Sequence, residues 1–172
     1  MVTTKIQILE KVDYDLDKAK AIWDWACTED AGQSANPNKN CPFVSIHEQD
    51  GMKGVRLCVA DVDIFIEAQD LDNGKEFEWQ KAMDRLKELG KSTFSKHEGY
   101  FIAAFIDEIN EKLREIGGKE LDKAYWSSTE YSSSYAWVVD FSSGVYSNLT
   151  SFYSKYNSFV VRPVAASKIL GH

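Results

Sequence analysis

The change of hydrophobic period at Leu121 constrains the fold of this chain more than any other feature. Before it, residues 77–89 and 95–116 repeat apolar side chains every three to four positions, which is typical of amphipathic helices. After it, residues 135–164 alternate apolar and polar side chains in runs that are separated by Ser, Gly and Asn turns, which is typical of antiparallel strands. Two helices followed by hairpins predict an α+β fold.

Capping signals predict the ends of both helices. Gly90 follows the first helix, where glycine readily adopts the left-handed conformation that ends many helices. Ser95 and Glu98 form a capping-box pattern, so we expect one continuous helix to begin there and to end before Gly117. Charged residues lie opposite its apolar stripe, which indicates a solvated face rather than a catalytic carboxylate cluster. They are Asp107, Glu108, Glu111, Lys112 and Glu115.

The segment before the first helix predicts further strands. The Asp50-Gly51 step joins apolar-alternating runs at 42–48 and 54–62, and this pattern favours a β-hairpin. A strand-like run at 64–68 follows it.

The length of 172 residues suits one domain with a sizeable core and a small extension. Residues 1–42 read as an N-terminal extension, made of a strand, a short helix and a loop, that packs on the main domain. The main domain is expected over 43–166, and a tail over 167–172.

Charge is spread unevenly along the chain. The net charge is −7, but residues 123–172 carry four basic and two acidic residues, so residues 1–122 carry −9. This acidic balance disfavours nucleic acid as a partner. There is no signal-peptide pattern and no apolar run long enough for a transmembrane segment. The sequence therefore indicates a cytoplasmic or phage-particle protein, or a secreted one if the N-terminus has been trimmed.

Residue types that support catalysis are sparse. Cys27, Cys41 and Cys58 lack metal-type spacing, which favours thiols in a reducing compartment and leaves one disulfide with one free thiol as the alternative. The chain has no phosphate-binding glycine loop, no HExxH, no CxxC and no G-x-S-x-G pattern. We therefore predict that it is not an enzyme.

Residues 124–166 concentrate tyrosine and serine. Six of the eight tyrosines and eleven serines lie there, whereas Glu130 and Asp140 are its only acidic residues. Tyrosine gives a rigid amphipathic contact and serine gives adaptable hydrogen bonding, as in antibody paratopes. Calcium-dependent sugar binding needs more carboxylate and amide ligands than this segment offers, so we predict no metal and no other cofactor.

Three motifs in this segment resemble the DUF1566 domain, also called the Lcl C-terminal domain, which is abundant in gut Bacteroidetes. They are Trp126-Ser127-Ser128-Thr129-Glu130, Ala136-Trp137 and Val161-Arg162-Pro163-Val164. The resemblance covers residues from about 60 to 166 and implies a C-type-lectin-like fold, with two helices packed on antiparallel hairpins. Some members of this family are the variable proteins of diversity-generating retroelements, in which codons of this stretch are mutagenised.

The resemblance also implies a division of roles. Framework positions are matched by Trp126, Trp137, Gly144, Arg162 and Pro163. The two tryptophans are expected in the core, and Arg162 is expected to make a buried ion pair or to bind carbonyls. The residues that match variable positions form the predicted ligand-binding set, which is Tyr131, Ser132, Ser134, Tyr135, Asp140, Ser142, Tyr146, Asn148, Tyr156 and Asn157.

These observations predict a non-catalytic binding module that presents a Ser/Tyr-rich surface, open to retroelement diversification, to a protein or a glycan. Recognition by a phage or at a cell surface would be its role. The alternative is a structural protein that uses the same face as a fixed oligomer interface. The sequence leaves the oligomeric state open.

Overall fold

The computed structural model describes residues 44–59, 62–142 and 150–166. These ranges form a mixed α+β structure, which confirms the predicted class. The helices are α1 (Trp79–Glu88), α2 (Lys96–Ala104) and α3 (Ile106–Glu115). The strands are β1 (Val44–Gln49), β2 (Met52–Val59), β3 (Val62–Glu67), β4 (Phe77–Glu78), β5 (Ser92–Thr93), β6 (Ala124–Glu130), β7 (Tyr135–Asp140), β8 (Thr150–Ser154), β9 (Ser158–Phe159) and β10 (Pro163–Ala166). The predicted N-terminal extension and tail lie outside the described residues.

The larger sheet has five antiparallel strands in the order β1-β2-β3-β10-β5. Asp50 and Gly51 connect β1 to β2 with φ angles of 53° and 76°. Two positive φ angles match the twist of a two-residue hairpin, so the predicted hairpin is confirmed. The last strand, β10, begins at Pro163 and lies between β3 and β5. It therefore ties the end of the described chain into the middle of the sheet.

The smaller sheet has the order β6-β7-β8 and is also antiparallel. Its central strand confirms the predicted alternation, because Ala136 and Val138 are buried while Tyr135 is exposed. The strand that returns from β7 is β8, which is described from Thr150. The sequence pattern predicts its start at residue 145, and residues 145–149 lie outside the described residues.

The expectation of one continuous helix from 95 to 116 is wrong. The chain breaks at Phe105, whose φ and ψ are −118° and 23°, and α2 and α3 lie on either side. Every residue of α2 from Gly99 onward is buried, whereas α3 buries Ile109 and Leu113 and exposes its other side. A helix buried all round and a surface helix need different surroundings, and this difference accounts for the break.

The predicted capping box at the start of α2 is present. The backbone N–H of Glu98 donates to the Ser95 hydroxyl at 3.2 Å, and the Ser95 N–H donates to the Glu98 carboxylate at 2.6 Å. These two bonds satisfy two amides at the helix start, so local sequence sets where α2 begins.

Two apolar cores cover the two faces of the smaller sheet. Tyr125 and Val139 face the core that α2, α3 and the larger sheet share. Trp126 and Val138 face the second core, which α1 fills with Trp79, Ala82 and Leu86. A β-carbon at Gly99 of α2 would lie 2.7 Å from Val139, so the helix approaches β7 closely at that point. α2 therefore covers the Val139 end of β7.

Arg162 is fully buried and makes the contacts expected of it. Its guanidinium pairs with Asp70 at 2.8 Å and donates to the carbonyl oxygens of Glu67 at 2.9 Å and Lys119 at 2.8 Å. One side chain thus joins the residues before β10, the end of β3 and the loop after α3. Both predicted alternatives, an ion pair and carbonyl binding, are confirmed.

Candidate ligand-binding surface

One end of the smaller sheet carries four aromatic side chains, which we call the aromatic cluster: Tyr131, Tyr135 and Phe152, which are exposed, and Trp137, which is half-buried. Trp137 and Phe152 are directly opposite each other on β7 and β8, and Tyr135 is two residues before Trp137. Side chains two residues apart share a face of a strand, so the strands put these three rings together. Tyr131 joins them from the turn after β6. Exposed fractions of 53% for Tyr131 and 46% for Phe152 are high for rings of this size.

The rings of the aromatic cluster hold one another in place. Tyr131 stacks on Phe152 with 4.2 Å between centroids and 6° between planes. Trp137 and Tyr135 meet Phe152 edge to face at 5.7 and 5.9 Å, and Tyr131 meets Trp137 in the same way at 5.5 Å. Such pairs contribute about 0.5–1.5 kcal/mol each beyond area burial. The cluster is therefore ordered before any ligand arrives.

The β6–β7 turn fixes the position of Tyr131. The backbone N–H groups of Tyr131 and Ser132 both donate to the carbonyl oxygen of Tyr135, at 2.9 and 3.0 Å. The β6–β7 register shifts between Trp126 and Glu130, which is the kind of irregularity that re-aims side chains at the end of a strand. These hydrogen bonds fix the turn to the sheet.

Lys96, the first residue of α2, lies directly against the aromatic cluster. Its ammonium group is 3.4 Å from the centroid of Trp137 and 5.8 Å from that of Tyr100. Its backbone N–H donates to the Thr129 hydroxyl at 2.9 Å, which holds the helix start to β6. Within residues 44–59, 62–142 and 150–166, no carboxylate forms an ion pair with Lys96.

Lys155 makes a contrasting arrangement on the other side of the sheet. Its ammonium group lies 4.4 Å from the centroid of Trp79 and pairs with Glu130 at 2.5 Å. Both lysines therefore lie over a tryptophan ring, but only Lys155 has its charge balanced by a carboxylate.

The structure brings part of the predicted ligand-binding set together. Four members lie in the cluster or in the β6–β7 turn, and all four are exposed: Tyr131, Ser132, Ser134 and Tyr135. Asp140 and Ser142 lie at the opposite end of β7, where the Asp140 carboxylate accepts from the Ser142 N–H at 2.8 Å. Tyr156 and Asn157 lie in the turn after β8, and Tyr146 and Asn148 lie outside the described residues.

Tyr156 lies at the same end of the sheet but outside the ring packing. Its turn joins the β6–β7 turn, where the Lys155 N–H donates to the Ser134 carbonyl oxygen at 2.9 Å, and no described ring stacks with Tyr156, which is 83% exposed. Within the described ranges, the predicted set is therefore divided between the two ends of β7, and the aromatic cluster is its only part with organised ring packing.

The expectation that both tryptophans are core residues holds only for Trp126. Trp126 is fully buried, and its indole N–H donates to the carbonyl oxygen of Phe77 at 2.8 Å. Trp137 is only half-buried: α2 covers the face of β7 at Val139, and the Lys96 side chain lies against the Trp137 ring. The predicted core role of Trp137 is wrong.

Phe152 and Lys96 were not among the predicted site residues. Phe152 looked like an ordinary apolar strand residue, and its position opposite Trp137 follows from a register that the sequence does not fix. Lys96 is 41 residues from Trp137 along the chain, so no local pattern pairs them. The one available signal was the shared face of Tyr135 and Trp137.

A cleft of about 350 Å³ lies on the side of α2 nearest the larger sheet. Among its polar residues, Asp63 pairs with Arg56 at 2.6 Å, and Ser95 and Glu98 bond each other in the capping box. These groups already have roles in the fold, so the aromatic cluster is the stronger candidate for a site.

The chain matches no family model and no curated protein. The resemblance to the DUF1566 family therefore rests on the sequence motifs alone. Among the described residues, no group of three or more His, Cys, Asp and Glu side chains is arranged to hold a metal ion. No helix among them is long and apolar enough to cross a membrane.

Proposed function

We propose that this chain is a non-catalytic ligand-binding module of C-type-lectin-like fold, and that the aromatic cluster is the centre of its binding surface. The observation that carries the proposal is a set of four contacting rings, three of them exposed to solvent, on a sheet that is packed on both faces. Contiguous exposed apolar surface of this kind marks interaction sites. Aromatic anchors held by a rigid scaffold lose little conformational freedom on binding.

The resemblance to the DUF1566 family supports the same surface. Tyr131, Ser132, Ser134 and Tyr135 match positions that vary among retroelement-diversified members, and they lie in or beside the cluster. A module of this kind would recognise a protein or glycan target at a cell surface or as part of a phage. Diversification of this copy is part of the proposal and follows from the resemblance only.

The test locates bound probes on the surface. The full chain is screened against a printed glycan array and a displayed random-peptide library, and each hit is mapped by amide chemical-shift changes. We expect the changes to centre on the β6–β7 turn and on β8. A matched pair, Phe152→Thr and Tyr153→Thr, separates the two faces of β8, because Phe152 lies opposite Trp137 and Tyr153 lies opposite Ala136, and threonine preserves strand propensity at both positions. We expect only Phe152→Thr to lose the hits.

The alternative is a fixed oligomer interface formed by the same rings. Light scattering of the full chain and of Phe152→Thr distinguishes it. A wild-type oligomer that dissociates when Phe152 is replaced favours the interface. A wild-type monomer whose hits map to the cluster favours the binding module, and hits that map elsewhere contradict the proposal.

A further inference from the structure

We infer that the ligand of the aromatic cluster is an acidic protein segment, which places a carboxylate against Lys96 and an apolar or aromatic side chain against Phe152. This inference rests on the proposed function and names the chemistry of its partner. It follows from the charge state of the cluster, from its ring geometry and from the hydrogen-bonding groups that it lacks.

Within the described residues, the charge of Lys96 is unbalanced. Its ammonium group lies 3.4 Å from the Trp137 centroid, and no carboxylate in the described ranges pairs with it. Lys155 lies against Trp79 in a similar way, and there Glu130 completes the arrangement. The lysine ammonium has three N–H donors, so a lysine held against a ring can still donate to a second partner. A carboxylate of the ligand would balance the charge of Lys96, as Glu130 balances the charge of Lys155.

The position of Lys96 in its helix is unfavourable for a positive charge. It is the first residue of α2, where the helix dipole disfavours a positive charge. Glu98, the acidic residue of that first turn, points back to the Ser95 N–H at 2.6 Å. The cation therefore gains nothing from its own helix. A local rule broken in this way is common at functional positions.

The chemistry of the surface favours a protein over a glycan as the ligand. The surface offers flat rings, a cation and the hydroxyl groups of the β6–β7 turn. Glu130, which ends β6 beside this turn, has its carboxylate already bound to Lys155 and is therefore a poorer acceptor for sugar hydroxyl groups. Tyr, Trp and Phe are enriched in the cores of protein interfaces, and lysine is depleted there. A lysine in such a core therefore indicates a partner that supplies the opposite charge.

Selection from a library tests the composition of the ligand. A phage-displayed library of random dodecapeptides is selected on the full chain, on Lys96→Gln and on Lys87→Gln, which changes an exposed lysine of α1. On the wild type and on Lys87→Gln we expect enriched peptides with Asp or Glu within three positions of Phe, Trp, Tyr or Leu. On Lys96→Gln we expect the acidic bias to disappear while the aromatic bias persists.

A double-mutant cycle tests the direct contact. The best peptide and its Asp→Asn or Glu→Gln version are titrated against the wild type and Lys96→Gln. We expect either single change to raise Kd about tenfold, which corresponds to about 1.4 kcal/mol. Both changes together should add little more, because they remove the same contact. Lys96→Arg keeps the charge and should retain most of the affinity.

The Lys96→Gln variant is expected to fold normally. The backbone N–H of residue 96 still donates to Thr129, and removing a cation from the first turn suits the helix dipole. The change also removes the cation–π contact with Trp137, so we expect a melting temperature within about 5 °C of the wild-type value alongside the loss of binding.

The outcomes separate this inference from the proposed function. Peptides that lose binding with Phe152→Thr but carry no acidic bias overturn the inference and leave the binding module standing. Effects of Lys96→Gln and of the peptide change that add fully also overturn it, since they show no contact. Array glycans that bind the cluster while no peptide does contradict the protein ligand. Absence of any binding at the cluster overturns both proposals.

Discussion

At the residue scale, the Arg162 network concentrates stability in a few buried polar atoms. Arg162 is 0% exposed and pairs with Asp70, whose side chain is 2% exposed. Removing one partner of such a pair leaves an uncompensated charge in the interior and typically costs about 3–5 kcal/mol. We expect Asp70→Ala to lower the free energy of unfolding by that amount in urea titrations.

The control for Asp70 is another aspartate paired with an arginine on the surface. Asp72 contacts Arg85 at 3.1 Å, with both side chains more than a third exposed. Exposed pairs contribute about 0.2–1 kcal/mol, so Asp72→Asn, which suits the φ of 45° at this position, should be nearly neutral. Equal losses for the two variants would contradict the importance given to the buried pair.

Tyr125 gives the molecule a pH dependence at the alkaline end. Burial raises the pKa of its phenol above the usual value; the charge of Asp70 adds to the rise and Arg162 opposes it. An unfolded tyrosine ionises near pH 10, so above about pH 10 the unfolded chain releases a proton that the folded chain keeps. This contribution to stability is complete below that pH and is lost as the pH rises toward the folded pKa.

The variant Tyr125→Phe tests this linkage. We expect its free energy of unfolding to fall less steeply than that of the wild type as the pH rises from roughly 9 to 11, because the titrating phenol is gone. Tyr156→Phe, at a position that is 83% exposed, should keep the wild-type slope. Urea unfolding at a series of pH values gives the slopes, and identical slopes for all three proteins would show that Tyr125 ionises alike in both states.

At the element scale, the close approach of α2 to β7 at Gly99 decides which part of the sheet stays open. Alanine at residue 99 gains about 1 kcal/mol of helix propensity, but its β-carbon would lie 2.7 Å from Val139. Overpacking of this kind costs about 1–3 kcal/mol. We expect Gly99→Ala to destabilise the protein by up to about 2 kcal/mol net in thermal or urea unfolding.

Shortening the Val139 side chain should remove this clash. In the Val139→Ala background the same Gly99→Ala change should be neutral or stabilising, because the contacting methyl groups are gone and the helix propensity remains. Additive effects of the two changes would place the cost somewhere other than the contact between α2 and β7.

The elements also show which parts of the fold the sequence could predict. Turns and caps were predictable because neighbours in sequence determine them: Asp50-Gly51 for the hairpin, Ser95 with Glu98 for the start of α2, and Gly90 after α1. The break at Phe105 was not, because it depends on which side of the helix the core surrounds. Such information comes from the tertiary structure and not from a periodic pattern.

The candidate site was predictable in the same partial way. Alternation along β7 correctly put Tyr135 and Trp137 on one face, and the Ser/Tyr composition drew attention to the segment that contains the β6–β7 turn. How much of that face α2 would cover was not encoded locally, so Trp137 was assigned to the core. The pairing of Trp137 with Phe152 and with Lys96 depends on strand register and on packing between distant segments.

At the scale of the whole molecule, the smaller sheet is held by one core on each face and extends beyond both at its open end. The chain is acidic as a whole, yet the open end carries Lys96 beside the aromatic cluster. A rigid support with exposed rings at its tip is the arrangement that pre-organised binding requires. The aromatic residues that fold the protein are therefore different from those that we propose bind the ligand.

A paired measurement on Phe152→Thr and Trp126→Ala tests that separation most directly. Each variant is assayed for its free energy of unfolding and for its affinity to a probe that maps to the cluster. We predict that Phe152→Thr weakens binding by about 1–3 kcal/mol, since a few aromatic anchors carry most of the energy of an interface, and that it lowers the free energy of unfolding by less than about 2 kcal/mol through its three half-exposed ring contacts. Trp126→Ala should cost about 3–5 kcal/mol of stability, because it truncates a fully buried ring. A Phe152→Thr protein that binds like the wild type, or that unfolds as readily as Trp126→Ala, would contradict the account.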